Sequence, residues 1–268
     1  MKNILNKIEF HYTYLIIALG FILTGYFYNL IIFTSLILIH ELGHYLMCIK
    51  YKVKVNKIII YPYGGLIKLD DVINRDIDEE LLIAIMGIFF QTMYYTIILI
   101  LYKNNYLREH IFNIYTMYHY SMLIFNILPI YPLDGFKIFN LILSKVMYFN
   151  LANYISLIIS IIMIIIVFIK GINNYSYMML IFILIDNTYK YYKGLKHLYN
   201  KFILERYLHK YNYKQFKIVN NQNKMYKNKF HIFKIGNNYI KEKEYLKFIF
   251  ETPTLYLTKH KKNSKILK

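Results

Sequence analysis

The segment that decides the fold is residues 30–50, LIIFTSLILIHELGHYLMCIK. The chain from Tyr12 to Ile39 contains no Asp, Glu, Lys or Arg, and HELGH, residues 40–44, follows at once. On a helix, HExxH places His40 and His44 one turn apart on one face with Glu41 beside them, which is typical of a zinc site with a general base. Ionisable side chains inside a membrane are costly and usually functional. The segment therefore predicts a metal site at the end of a membrane-spanning helix.

Composition indicates a polytopic membrane protein. The 268 residues are 57% hydrophobic with a mean hydropathy of +0.31, which is unlike a soluble domain. Cys48 is the single cysteine, so no intramolecular disulfide can form. We expect Cys48 to be a small buried thiol on the HExxH helix and not a metal ligand.

The predicted fold class is an all-α polytopic membrane protein with a small cytosolic α+β tail. A spanning helix needs about 20 apolar residues, and six segments of the sequence are candidates, the first two joined by a predicted tight turn around Asn29. They are Tyr12–Tyr28, Leu30–Ile49, Leu81–Tyr102, Ile111–Ile130, Leu151–Ile169 and Ile172–Tyr189. This pattern predicts two domains, a six-span membrane domain over residues 1–195 and a basic tail over residues 196–268.

Charge distribution predicts that both termini are cytoplasmic. With the N-terminus inside, the predicted inner segments before the tail carry ten Lys and Arg residues, and the outer loops carry only Lys103, Arg108 and Lys170. From Lys190 onward the chain has 20 Lys and Arg residues against four acids. A basic tail can indicate nucleic acid, but here we favour a cytosolic domain near anionic lipid without direct nucleic-acid binding.

The loop after the second predicted span is expected to contain short strands. Its β-branched residues from Lys57 onward are interrupted by Pro62 and by Gly64-Gly65, which predicts strands around a turn or a re-entrant loop. An exposed strand edge can receive an extended peptide by backbone pairing. We assign that role to Tyr61–Leu69, with Gly64, Gly65 and Leu66 as candidate substrate-binding residues.

A third metal ligand is predicted at Asp134. Catalytic zinc sites usually have three protein ligands and keep one position open. Asp134 lies in NILPIYPLDG, residues 126–135, which closes the fourth predicted span, so the topology brings it to the same membrane face as His40 and His44. Pro129 and Pro132 end the helix and restrict the backbone. The alternative for Asp134 is an N-cap of the next helix.

These two motifs resemble those of the site-2 intramembrane metalloproteases. HExxH in a second span, a Gly-Gly loop, and N-x-x-P-x-x-P-L-D-G at the end of a fourth span match in type, order and placement over about residues 10–200. Within the family, the six-span layout with a cytosolic tail is most similar to members that process sporulation sigma-factor precursors. The resemblance implies zinc, a sigma-K type pro-segment as substrate, membrane-protein inhibitors, and a place in the mother-cell membrane that surrounds the forespore.

The resemblance also implies roles for single residues. His40, His44 and Asp134 would be zinc ligands, and Glu41 the catalytic acid and base. Asn126 would stabilise the oxyanion near the scissile carbonyl, and Pro129 and Pro132 would shape the substrate-side loop. General acid–base and electrostatic catalysis fit these residue types.

The chain departs from the family pattern in two places. Many relatives carry Gly-Pro and a nearby Asn in the third span, whereas here Ile88 follows Gly87 and Gln91 stands where the Asn would be. We expect Gly87 and Gln91 to serve helix packing. His119 is expected on the membrane face away from the zinc.

The tail is the second place of departure. Its 73 residues, 196–268, are too few for the CBS-domain pair of an adenine-nucleotide sensor, so only a reduced CBS-like module fits. ATP binding there is a suggestion of the resemblance, and the tail histidines His197, His209, His231 and His260 are expected at the surface.

Two other function classes remain open. A membrane metal transporter or metal sensor would use the same ligands, but a transporter needs a polar path across the bilayer, which the fifth and sixth spans scarcely offer. Nor would it need Glu41 beside His40. A scaffold without catalysis is disfavoured because every expected ligand is present.

Overall fold

The computed structural model of the protein describes residues 7–61, 64–69, 72–171, 175–213, 215–236 and 238–251. The helices are α1 (Tyr12–Leu23), α2 (Phe27–Lys50), α3 (Ile77–Lys103), α4 (Glu109–Ile127), α5 (Asp134–Val146), α6 (Phe149–Gly171), α7 (Tyr175–Leu208) and α8 (Glu242–Glu251). The strands are β1 (Ile8–Phe10), β2 (Val55–Tyr61), β3 (Gly64–Leu69), β4 (Phe216–Val219), β5 (Phe230–Ile235) and β6 (Asn238–Lys241). The chain divides into two compact units, one made of residues 1–71, 78–139 and 156–189, and the other of residues 72–77, 140–155 and 190–268.

Three helices within the described ranges are long and apolar enough to cross a membrane, namely α2, α3 and α6. Most of the exposed side chains of α6 are aliphatic, among them Ile158, Ile161 and Ile165. An aliphatic outer surface is what a lipid-facing helix requires. The chain is therefore a mostly helical membrane protein, and the predicted count of six spans stays a prediction.

The first predicted hairpin is displaced from where the sequence suggested it. The turn lies at Gly25, whose φ of 78° is in the left-handed region that glycine tolerates, and Asn29 is inside α2. The turn around Asn29 was therefore wrong by one helical turn. Helix α1 then has 12 residues and a length of about 18 Å. This length is shorter than the hydrocarbon core of a bilayer, which is about 30 Å thick.

The first unit contains a three-stranded sheet in the order β1-β2-β3. Strands β2 and β3 pair antiparallel. Pro62 and Tyr63, which connect them, lie outside the described residues. Strand β1 pairs parallel to β2 with Ile8 opposite Ile58, a strand that the sequence did not predict because three residues carry no periodic signal. Strand β3 consequently forms an edge of this sheet.

The core of the first unit lies between α2 and this sheet. Leu36, Ile37 and Cys48 on α2 are fully buried and belong to one cluster with Ile58 and Ile60 of β2. The burial of the Cys48 side chain agrees with the sequence prediction. This packing fixes α2, the helix that carries HExxH, against the sheet.

The second unit contains a sheet in the order β4-β5-β6, with α8 and the last part of α7. Its centre is Arg206, which donates from Nε to Glu242 (2.5 Å), while His231 Nδ1 donates to the other oxygen of Glu242 (2.8 Å). Burial alone would raise the pKa of Glu242, but hydrogen bonds from His231 and Arg206 and the guanidinium charge lower it to about 2.

His231 was predicted to lie at the surface, and this prediction was wrong. The residue is 2% exposed, since side chains alternate between the two faces of β5 and that of His231 lies on the buried face, where its ring contacts Glu242. His260 lies outside the described residues. The predicted domain boundary at residue 195 falls inside α7, and the division into those two domains stays a prediction.

Candidate metal centre and active site

The HExxH residues lie on α2 as the motif predicts. His40, Glu41 and His44 are buried, and one ligand atom of each lies within 4.8 Å of the others. The Nε2 atoms of His40 and His44 are 3.1 Å apart. Helical spacing alone brings the two imidazoles together because residues four apart share a face.

Asp134 approaches the same point from another part of the chain. It is the first residue of α5, and its Oδ2 atom lies 2.9 Å from Nε2 of both His40 and His44. Gly135 makes this bend possible, because a Cβ at that position would overlap the carbonyl oxygens of Ile127 and Leu128. Asp134 therefore both begins a helix and contacts the two imidazoles.

Each of these three side chains has an outer partner. His40 Nδ1 faces Gln91 Oε1 at 3.2 Å, and His44 Nδ1 donates to the carbonyl of Ile83 at 2.6 Å. Lys137 Nζ donates to Asp134 Oδ1 at 2.9 Å. Histidine ligands in metalloproteins are held in the same way, through the ring nitrogen that does not face the metal.

The donor set fits a zinc ion. The Ile83 carbonyl can only accept, so His44 carries its proton on Nδ1 and presents a lone pair at Nε2. The three converging atoms are 2.9–3.1 Å apart, close to the edge of about 3.3 Å expected for tetrahedral ligands at about 2.0 Å from zinc. Two imidazole nitrogens and a carboxylate oxygen are an established ligand type for catalytic zinc.

Glu41 and Asn126 face a common cavity. The cavity is lined by His40, Glu41, Gly64, Gly65, Asn126, Pro132, Leu133, Asp134 and Lys137. Gly65 of β3 leaves the space that the Glu41 side chain occupies, because a Cβ at residue 65 would overlap the Glu41 carboxyl group. The carboxylate is thus held between α2 and the edge strand, beside the two histidines.

The predicted substrate-binding residues fall into two groups. Gly64, Gly65 and Pro132 line the cavity. Leu66 of β3 pairs with Ile59 of β2, and Pro129 lies three residues before Pro132 in the segment between α4 and α5. Their roles in substrate binding stay predictions.

Sequence reasoning missed the roles of four residues around the metal centre. Gly87 was expected to serve packing, yet a Cβ there would overlap Nε2 of both His44 and His40. Gln91 reaches His40, and Lys137, which is one of the ten Lys and Arg residues counted above for the topology, binds Asp134. His119 was expected away from the site, whereas its carbonyl accepts a hydrogen bond from Gln91. The only signal in the sequence was the departure from the family pattern at residue 91.

Comparison with known proteins gives a consistent family. The model of peptidase family M50 matches residues 28–108, which include HExxH. The chain is 28% identical over 211 residues to stage IV sporulation protein FB of Bacillus subtilis, covering 76% of this chain and 73% of that protein. It is 32% identical over 151 residues to a zinc metalloprotease of Methanocaldococcus jannaschii, covering 52% of this chain and 43% of that protein.

A solved structure has the same fold. The site-2 protease from Methanocaldococcus jannaschii superimposes with a TM-score of 0.54 at 22% identity, covering 68% of this chain and 89% of that one. Together with the family model and the two relatives, this likeness agrees with the resemblance seen in the HExxH and PLDG motifs. The chain is similar to the site-2 proteases of peptidase family M50 and is a membrane zinc metalloendopeptidase.

Proposed function

We propose that the chain cleaves a membrane-associated protein at a zinc centre held by His40, His44 and Asp134. The observation that carries this proposal is the convergence of His40 Nε2, His44 Nε2 and Asp134 Oδ2 within 3.1 Å of one another. The centre opens to a cavity that Glu41 and Asn126 also line. Ligands, a carboxylate and an amide donor are therefore available in one place.

The roles of the chain's own residues follow from this arrangement. Zinc, when bound, lowers the pKa of a water molecule and polarises a carbonyl. Glu41 takes the proton of the attacking water and passes it to the leaving amine. The amide of Asn126 donates to the developing oxyanion. Lys137 keeps one oxygen of Asp134 occupied, so that Asp134 presents its other oxygen to the metal.

The substrate segment is proposed to add to the edge of β3. A peptide bond in a helix is hydrogen-bonded, so the segment must be extended before cleavage. Strand β3 pairs with β2 on one side and lies at the end of the sheet, and its residues Gly64 and Gly65 line the cavity. Backbone pairing with this edge would present an extended chain to Glu41.

A proline scan tests this platform. Single prolines at residues 66–68 should lower cleavage without loss of zinc, because each removes a backbone donor. Tyr239→Pro, in the edge strand β6 of the other sheet, is the matched control. Unchanged cleavage across the scan would reject β3 as the substrate platform.

We also propose the substrate and the setting. The similarity to stage IV sporulation protein FB and the resemblance in the motifs support a sporulation sigma-factor precursor of the sigma-K type as substrate, inhibition by membrane proteins, and location in the mother-cell membrane around the forespore. The charge distribution supports six crossings with both termini in the cytoplasm. The tail as a reduced CBS-like module stays a proposal from resemblance, and ATP binding there has no further support.

Glu41→Gln tests the function. The variant should retain zinc, since Glu41 is not among the three converging ligands, and it should lose cleavage of a co-expressed sigma-factor precursor, followed by gel mobility. A metal transporter with the same ligands would keep its flux in this variant. Processing by Glu41→Gln at the wild-type rate would reject the protease mechanism, whereas His44→Ala should lose both zinc and cleavage.

A further inference from the structure

Gln91 of α3 is a buried amide that connects the metal centre to α4. Its side chain has no exposed surface. Its Oε1 end lies 3.2 Å from His40 Nδ1, and its Nε2 end lies 3.0 Å from the carbonyl oxygen of His119. Polar side chains in a membrane-spanning helix are rarely placed without a partner or a function.

The carbonyl of His119 fixes which way round the amide lies. A carbonyl oxygen accepts and cannot donate, so the NH₂ group of Gln91 must face His119. The Oε1 atom then has to face His40, and it too only accepts. The hydrogen-bond network therefore allows one orientation of the Gln91 amide.

This orientation sets the proton on His40. Because Gln91 Oε1 only accepts, the proton of the neutral His40 ring lies on Nδ1 and its lone pair lies on Nε2. His40 Nε2 is the atom that faces His44 Nε2 at 3.1 Å and Asp134 Oδ2 at 2.9 Å. Without Gln91, the His40 ring would be free to rotate or to take the other tautomer.

We infer that Gln91 is a positioning residue of the metal centre, which holds His40 in the tautomer and ring orientation that bind the metal. The inference rests on the proposed zinc site. His119 supplies the fixed acceptor through its backbone, and its ring stacks on Tyr95 at 4.1 Å between centroids and 4° between planes. The Nδ1 atom of the same ring lies 3.4 Å from Gln91 Nε2, so the backbone carbonyl at 3.0 Å is the shorter of the two contacts that the amide makes with His119.

The test measures zinc affinity in the purified full-length chain by competition with a chelator. Gln91→Met keeps the shape of the side chain and removes both hydrogen bonds, so the dissociation constant for zinc should rise about 10- to 100-fold. His119→Phe removes the ring nitrogen that lies 3.4 Å from Gln91 Nε2 but keeps the stacked ring and the shorter bond to the backbone carbonyl, so zinc affinity should fall clearly less than in Gln91→Met. Thr92→Val, at the next position of α3 and exposed, is the matched control for changes in that helix.

Cobalt substitution adds a readout that a packing role would not change. The visible absorption of Co²⁺ in Gln91→Met should differ from wild type in band position, because the His40 ring no longer has one orientation.

If Gln91→Met does not fold, as judged by helical circular dichroism, Gln91→Asn decides, since it keeps the amide but is one methylene too short to reach both partners. Wild-type zinc affinity in the folded variant would overturn the inference, and so would equal losses in Gln91→Met and His119→Phe. Because these readouts are metal binding, a failure of the cleavage assay for Glu41→Gln leaves them unaffected.

Discussion

Glu41 and Gly65 come from different elements and occupy adjoining space. A side chain at residue 65 would overlap the Glu41 carboxyl group, although residue 65 belongs to β3 and Glu41 to α2. Strand β3 therefore limits where the Glu41 carboxylate can lie. This dependence explains why a glycine stands at a strand position where side chains usually favour the sheet.

Gly65→Ala should impair cleavage and spare metal binding. The added methyl group would displace Glu41, and a misplacement of about 1 Å at a catalytic group can lower the rate about 100-fold. The zinc content should equal that of wild type, since Gly65 does not touch His40, His44 or Asp134. Gly20→Ala in α1, where nothing lies within 4 Å of the added carbon, is the control. Equal precursor processing by Gly65→Ala and Gly20→Ala would contradict this role.

At the scale of elements, the metal centre depends on how closely α3 approaches α2. Two glycines allow the approach, Gly43 on α2 against the carbonyl of Met86, and Gly87 on α3 against both imidazoles. Small residues at helix contacts are typical of membrane proteins because they let backbones come near. The same approach brings the Ile83 carbonyl and Gln91 to the histidines.

Gly87→Ala should abolish zinc binding. The new methyl group would occupy the position of the Nε2 atoms, so the imidazoles could not converge with Asp134. Equilibrium zinc content after dialysis measures the effect, with Gly194→Ala in α7, where nothing lies within 4 Å, as the matched helix control. A zinc stoichiometry near one in Gly87→Ala would show that α3 does not lie where the structure puts it.

The second unit depends on a charged contact between α7, β5 and α8. The folded-state pKa of Glu242 is about 2 against an ordinary 4.5, which corresponds to about 3 kcal/mol of stability above pH 4.5. This contribution falls away as the pH drops from about 4.5 to about 2. Burial lowers the pKa of His231, so its protonation in the unfolded chain also favours unfolding as the pH falls below 6.5.

Glu242→Gln should therefore loosen residues 216–251 at neutral pH. Loss of the carboxylate leaves Arg206 buried without its charge partner, and hydrogen-exchange protection of that segment in the full chain should fall by up to about 100-fold. Glu244→Gln, an exposed carboxylate two positions on in α8, is the control. Similar protection in both variants would show that the Arg206 contact adds nothing to this unit.

At the scale of the whole molecule, sequence predicted what depends on spacing and missed what depends on contact between helices. HExxH indicates its chemistry because its residues lie close together in sequence. Asp134 of PLDG was assigned to the same site because an even number of predicted membrane crossings brings it to the same membrane face. Gly87 and Gln91 of α3 act on the histidines of α2 across a helix interface, which no periodicity reveals. Lys137 binds Asp134 from one turn further along α5, and its charge alone did not indicate that contact. The turn at Gly25 was misplaced for a related reason, since an apolar run without charges contains little that marks where one helix ends.

The topology of the chain is the last prediction, and it can be tested with single cysteines. Cys48 is buried and is the single cysteine of the sequence, so Cys48→Ser gives a background without thiols. On that background, Tyr106→Cys in the loop between α3 and α4 should react with a membrane-impermeant maleimide from the outer face of intact cells. Lys54→Cys, between α2 and β2, should react only in inverted vesicles, because the positive charges place that loop inside.

The comparison of the two cysteines separates the topologies. Helix α3 satisfies the length and composition of a spanning helix, and it lies between the two labelled positions, so they must fall on opposite faces if α3 crosses the membrane. Labelling of both from the same side would remove α3 as a span. Opposite faces with the sides exchanged would invert the orientation and put the basic residues after Lys190 outside, against the bias that positive charge imposes on cytoplasmic segments.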